Sequence, residues 1–309
     1  MPMSTLMRKT LLGMSKNQTM ERIVKRLGPY LGTRRFVPGE QIEDAIARIK
    51  ELNAEGVMAT VDHLGEFVTS RSEAEAATEQ ALLTLKALDA SGVESYLSVK
   101  LTQLGLDLDE RFCEHNMRRI LDEARKLGRF VRIDIEDYAR NEKTLALFER
   151  LIQDFGHETI GLALQSYLYK TEADLKRLSV WAPNIRFVKG AYQESREVAF
   201  SDKKDVDQHY IRLVESHLLA GHYAAIATHD LAIIETLKSF VNSHGIPRTQ
   251  FEFQMLYGIR SMSLLDLARQ GYRTRVYIPY GDDWYGYYMR RLAERPENVM
   301  FIVKSWFKR

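Results

Sequence analysis

The chain has 309 residues, 45% of them hydrophobic and 28% charged, with a formal net charge of +2. That length buries a large core and suits one large α/β domain or two smaller ones, while the near-neutral charge points to no nucleic acid or other highly charged partner. The lone Cys113 excludes an internal disulfide framework, fits a reducing cytoplasm and is expected to pack on a helix, and no apolar run approaches a membrane span.

Residues 1 to 35 hold Arg8, Lys9, Lys16, Arg22, Lys25, Arg26, Arg34 and Arg35 against Glu21 alone. The segment is too polar for a secretory signal and reads as short basic helices broken near Gly28 and Pro29. It is either a solvated arm or a surface drawn to anionic membrane. We expect a helical arm over residues 1–45 and a catalytic domain over 46–309.

Short β-rich runs then recur with helical segments between them. They are Gly56–Asp62, Ser95–Leu101, Phe130–Ile135, Ile160–Gln165, Ile185–Lys189, Tyr223–His229, Phe251–Leu256 and Thr274–Pro279. Eight strands alternating with helices predict a (β/α)8 TIM barrel, whose usual size is about 250 residues. No linker or low-complexity stretch interrupts the series.

Alternation along the strands adds a second expectation. Ser98, Lys100 and Thr102 share one face of the second run; Arg132, Asp134 and Glu136 share one face of the third; Glu252 and Gln254 do so in the seventh, and Arg275 and Tyr277 in the eighth. In a parallel barrel the apolar face meets the surrounding helices, so these polar sets point inward. Charges there need partners, and internal ion pairs such as Arg132 with Glu252 or Glu136 would supply them. Lys100, Asp134, Gln165, Arg186, Lys189 and Thr228 fall late in their runs, at the barrel face that carries chemistry.

Near the end, Tyr287-Tyr288-Met289-Arg290-Arg291-Leu292-Ala293-Glu294 puts adjacent guanidinium groups on a helix. They repel unless an anion lies between them, which makes them a candidate carboxylate or phosphate clamp; a plain solvated basic face is the alternative. Glu294 can pair with either arginine along the helix. There is no G-x-G-x-x-G, no P-loop and no nucleophile elbow, and the scattered histidines form no metal set. Lys100 and Lys189 keep open a barrel lyase or aldolase acting through a Schiff base.

Read together, Asp62-His63-Leu64-Gly65-Glu66, Ser98-Val99-Lys100-Leu101-Thr102, Arg132-Ile133-Asp134-Ile135-Glu136, Arg186-Phe187-Val188-Lys189-Gly190-Ala191-Tyr192, Ala227-Thr228-His229-Asp230, Phe251 through Gly258 and Tyr287-x-x-Arg290-Arg291-x-x-Glu294 resemble the proline dehydrogenase family in its small bacterial form. The resemblance implies a TIM barrel whose last helix lies over the mouth. It also implies noncovalent FAD, oxidation of L-proline to Δ1-pyrroline-5-carboxylate, and electrons passed to a membrane quinone. By the same resemblance, Arg290, Arg291 and Lys100 bind the proline carboxylate, Tyr277, Tyr287 and Leu256 pack on its ring, and Glu66 gates the pocket. Arg186 lies beside the flavin N5, Gln165 at its ring, and Ile135, Val188, Lys189, Gly190, Ala191, Thr228 and His229 at other cofactor contacts. Asp134 corresponds to an acidic active-site residue, acting directly or by holding Arg291 or Lys100. The implied setting is cytoplasmic or peripheral at the inner membrane face, with a separate pyrroline-5-carboxylate dehydrogenase downstream.

Overall fold

In a computed structural model, residues 24–25 and 33–294 are described. The expectations for most of the basic N-terminal segment and for the Glu294 side chain lie outside the described residues. A closed barrel of parallel strands runs in sequence order: β1 (Met58–His63), β2 (Ser95–Val99), β3 (Val131–Ile133), β4 (Ile160–Gln165), β5 (Asn184–Val188), β6 (Ala224–Ala227), β7 (Phe251–Leu256) and β8 (Thr274–Tyr280). Each strand falls within or against its predicted run.

The helices are α1 (Ile42–Ala54), α2 (Arg71–Ser91), α3 (Glu110–Lys126), α4 (Tyr138–Phe155), α5 (Thr171–Leu178), α6 (Lys203–Leu219), α7 (Leu231–Ser243), α8 (Ser261–Arg269) and α9 (Trp284–Glu294). Several begin at the barrel mouth on side-chain caps: Ser70 for α2, Asp109 for α3, Asp137 for α4, Asp202 for α6 and Asp230 for α7. Such caps satisfy free N–H groups of the first turn and so fix where each loop ends. Apolar residues of the outer strand faces, such as Val61, Leu97, Val131, Ile133, Leu162, Ile185, Phe253 and Val276, form one core with the helices. Cys113 is buried in it on α3.

The helix order departs from a simple alternation at one place. α1 precedes the first strand and packs outside β1 and β8, where the helix following β8 would complete the ring. Position 45, where the arm was expected to end, lies inside α1, so the division falls within a helix whose Ala45, Ile49 and Leu52 belong to the barrel core. α9 is thereby released to cover the mouth. It does so through a separate apolar cluster in which Trp284, Tyr285, Tyr287, Tyr288, Met289 and Leu292 meet Phe36, Val37, Leu64 and Ile259. Trp284 Nε1 donates to Glu40 Oε1 at 2.9 Å, fastening the start of the helix to the loop before α1.

Candidate active site

The inward strand faces form two tiers. At the floor, Arg275 donates through Nε and an Nη to Glu252 at 2.7 and 3.1 Å and to the Ala59 carbonyl at 2.6 Å. Tyr223 closes Glu252 with its hydroxyl at 3.0 Å. Burial works against the Glu252 carboxylate, yet Arg275 outweighs it and holds the group down to about 2. Arg132 donates to the Asn184 side chain and carbonyl, both at 2.6 Å, and to the Leu162 carbonyl at 3.2 Å. A Cβ at Gly161 would stand 2.8 Å from that guanidinium and 2.5 Å from the Asn184 carbonyl, so β4 has no side chain there.

This corrects the expected pairing of Arg132 with Glu252 or Glu136. β7 lies beside β8, with Gln254 opposite Arg275, so Glu252 finds Arg275; Arg132 faces β4 and β5 instead. Glu136 sits beyond β3 at the mouth, where the Thr102 amide donates to it at 3.1 Å and the Thr102 hydroxyl also donates. Burial pushes its carboxyl up to about 7.

At the mouth the order of partners changes. Arg186 donates to Asp134 Oδ1 at 2.5 Å, to Gln254 Oε1 at 2.8 Å and to Ser98 Oγ at 3.2 Å, and its guanidinium lies 5.2 Å from the Tyr277 ring centroid. Tyr277 donates its hydroxyl to Asp134 Oδ2 at 2.7 Å. Lys100 Nζ donates to Asp62 Oδ2 at 2.8 Å and lies 3.5 Å from both Asp134 Oδ2 and the Tyr277 hydroxyl. Burial would raise the Asp134 carboxyl, but Arg186 and Lys100 keep it below the ordinary range. Burial would likewise lower the Lys100 ammonium; Asp62, Asp134 and the more distant Glu66 instead hold it above the ordinary lysine range. For Asp62, burial and Asp134 push upward against Lys100. The charged pair is the state we adopt, because this ammonium faces two carboxylates at once.

Above this network, Arg290 on α9 reaches Glu66 Oε1 at 3.3 Å, in a pair whose side chains are 42% and 20% exposed. The neighbouring Arg291 stacks its guanidinium 5.1 Å from the Tyr287 ring centroid. Leu256, at the end of β7, packs with the α9 cluster that holds Tyr287. The clamp candidates, the ring-packing candidates and the gate candidate therefore share the mouth with Lys100, Asp134 and Arg186.

The remaining predicted residues lie along the rim beyond β3 to β6. Gln165 donates to the Glu136 carbonyl at 2.8 Å, and Ile135 is buried beside it in sequence. Val188 ends β5, and Lys189 is held between Asp207 at 2.5 Å and Asp230 at 3.0 Å. Gly190 has φ +128°, and a Cβ there would meet the Tyr167 ring at 2.3 Å; Ala191 follows it, exposed. Thr228 accepts from the Asp230 amide at 3.1 Å, while His229 Nε2 accepts from the Leu256 amide at 2.9 Å. That bond ties the exit of β6 to the exit of β7.

Asp62, Ser98 and Gln254 join the site without having been assigned to it from the sequence. Their signals there were position, since each is an inward, late-strand polar residue, and a place in the strings that carry the family resemblance; their partners lie 38, 36 and 68 residues away in the chain. Among the described residues no group of three or more His, Cys, Asp or Glu side chains is placed to hold a metal ion.

A family profile described as Proline dehydrogenase matches residues 45–304. The chain is 45% identical over 304 residues to Proline dehydrogenase 1 of Bacillus subtilis subsp. natto, covering 98% of this chain and 100% of that one. It is 44% identical over 306 residues to the Proline dehydrogenase of Deinococcus radiodurans, covering 98% of each. Among solved structures, the fold matches proline utilization A from Bdellovibrio bacteriovorus inactivated by N-propargylglycine, with a TM-score of 0.81 at 24% identity; the match covers 88% of this chain and 33% of that longer one.

Proposed function

The chain belongs to the proline dehydrogenase family, and from that membership we propose that it oxidises L-proline to Δ1-pyrroline-5-carboxylate in proline catabolism, using FAD and a membrane quinone as the final acceptor. The observation that carries the reading is the charged Lys100 at the barrel mouth, beneath a helix that brings Arg290 and Arg291 over it. A small carboxylate between those cations is bound and oriented at once. Tyr277, Tyr287 and Leu256 form an apolar wall for the pyrrolidine ring, and closing α9 over the mouth with Glu66 on Arg290 excludes water.

The rim residues fit a flavin. Gly190 leaves the β5 exit without a side chain where the backbone crowds Tyr167, and Ser166 Oγ is buried there with no partner among the described residues. Lys189, Thr228, His229, Val188, Ala191, Ile135 and Gln165 would hold the cofactor along this rim. When bound, the flavin accepts the hydride that leaves C5 of proline. Arg186 contributes a fixed cation where negative charge accumulates during that transfer, already oriented by Gln254, Ser98 and Asp134. Asp134 thus has two tasks here, anchoring Arg186 and presenting Tyr277 to the substrate ring.

The lyase alternative requires a neutral, free lysine amine. Lys100 is tied to Asp62 and Asp134, and Lys189 to Asp207 and Asp230, which disfavours it. Among the described residues no helix is long and apolar enough to cross a membrane. A cytoplasmic setting with a peripheral membrane contact for quinone reduction is proposed from the family membership alone. A separate dehydrogenase would consume the product. Purified protein should show a flavin spectrum that L-proline bleaches anaerobically, and the released cofactor should run as FAD. Absence of bleaching would overturn the reading; release of FMN would overturn the choice of FAD.

A further inference from the structure

We infer that Asp62 is a positioning residue that holds Lys100 in its anion-binding posture, so that an incoming carboxylate replaces Asp134, not Asp62, on the lysine; this rests on the proline dehydrogenase reading. Lysine carries its ammonium on a flexible stem, and a lysine buried at the barrel mouth needs a fixed counter-charge to hold one direction. Asp62 is suited to supply it. It is the last inward residue of β1, it lies opposite Ser98 on the neighbouring strand, and Lys100 follows two residues later on the same face.

The two carboxylates around Lys100 are not equivalent. Asp62 is 2% exposed, its Oδ2 lies 2.8 Å from Nζ, and Lys100 is its sole ion-pair partner among the described residues. Asp134 lies farther off, at 3.5 Å, and is separately satisfied by Arg186, Tyr277 and Ser98. Loss of the Lys100–Asp134 contact leaves Asp134 paired. Loss of the Lys100–Asp62 contact would strand a buried carboxylate whose other oxygen, Oδ1, already has no hydrogen-bond partner. Exchange at Asp134 is therefore the cheaper course for a ligand carboxylate, and Asp62 keeps the ammonium at the mouth while it happens. Without Asp62, Lys100 would close on Asp134, and that carboxylate would compete with the ligand for the ammonium's donors.

The test is the affinity of tetrahydrofuran-2-carboxylate, a proline analogue without the amine, measured calorimetrically on the flavin-loaded full chain. Asp62→Asn should weaken binding about tenfold or more, the scale of a charged hydrogen bond, with a matching rise in KM for proline larger than any fall in kcat. In a Lys100→Met background the same substitution should add nothing, because Asp62 acts through Lys100. Unchanged affinity in Asp62→Asn, or a further loss on top of Lys100→Met, would overturn the inference. Should Asp62→Asn alone fail to fold, the comparison of Lys100→Met with the double variant, which removes both charges together, still decides it. Failure of the unmodified protein, or indifference of Lys100→Met, would instead count against the carboxylate site itself.

Discussion

The floor and the mouth of this barrel are built from the same material, charged side chains on inward strand faces, and they differ in how the charges are satisfied. At the floor Arg275 and Glu252 are 1% and 0% exposed, with the Ala59 carbonyl, Tyr223 and the Gln254 amide filling remaining positions. At the mouth Lys100 holds Asp62 at 2.8 Å but reaches Asp134 and Tyr277 only at 3.5 Å, and Arg290 holds Glu66 at 3.3 Å with much of its side chain in water. A saturated pair holds structure, whereas long or half-exposed contacts are ones a ligand can replace at little cost.

Substitutions should separate the two tiers. Arg275→Met strands the buried Glu252 and should cost roughly 3–5 kcal/mol of stability, read by urea denaturation, with KM for proline unchanged in the folded fraction. A comparable rise in KM would erase the distinction between floor and mouth. Arg290→Met or Arg291→Met should do the reverse, raising KM roughly 10- to 100-fold in steady-state assays while moving stability by less than about 1 kcal/mol.

Glu136 tests the mouth by pH. Its carboxyl is pushed from 4.5 up to about 7 by burial, so between those values the folded chain binds more protons than the unfolded one, and stability falls as pH rises through that window. In denaturation series at several pH values, Glu136→Gln should lack that decline; parallel curves would mean that the carboxylate is well solvated. Tyr277 crowds the ring wall, so the protein should turn over proline in preference to 4-hydroxyproline; Tyr277→Ser opens that space, and the ratio of the two kcat/KM values should fall by about tenfold, the worth of a steric contact in a pocket. Smallest of all, Glu66→Gln removes a half-exposed pair and should shift stability by less than about 1 kcal/mol. Its effect should show in the salt dependence of KM, and a salt dependence equal to that of the unmodified protein would remove Glu66 from the gate.

Much of this architecture was legible before any fold was known. All eight strands could be read from β-rich runs, because a strand buried by surrounding helices must be apolar on its outer face over several residues. The polar inner faces were legible too, since alternation depends on nothing beyond the neighbouring residue. What pairs with what was not. Arg132 and Glu252 are both inward, but strand order puts β8 next to β7 and sends Arg132 to Asn184. Asp62 looked like the head of a motif string until β1 and β2 came together in register.

The sequence by itself therefore determined the element order, the inward polar set and the candidate clamp, all of which follow from local periodicity and residue chemistry. Only the tertiary structure decided that α1 fills the place in the ring outside β1 and β8, that Asp62 is the close partner of Lys100, and that Gln254 orients Arg186. Those facts depend on contacts between residues tens to hundreds of positions apart, and barrel closure sets such contacts through strand register, which no local pattern encodes.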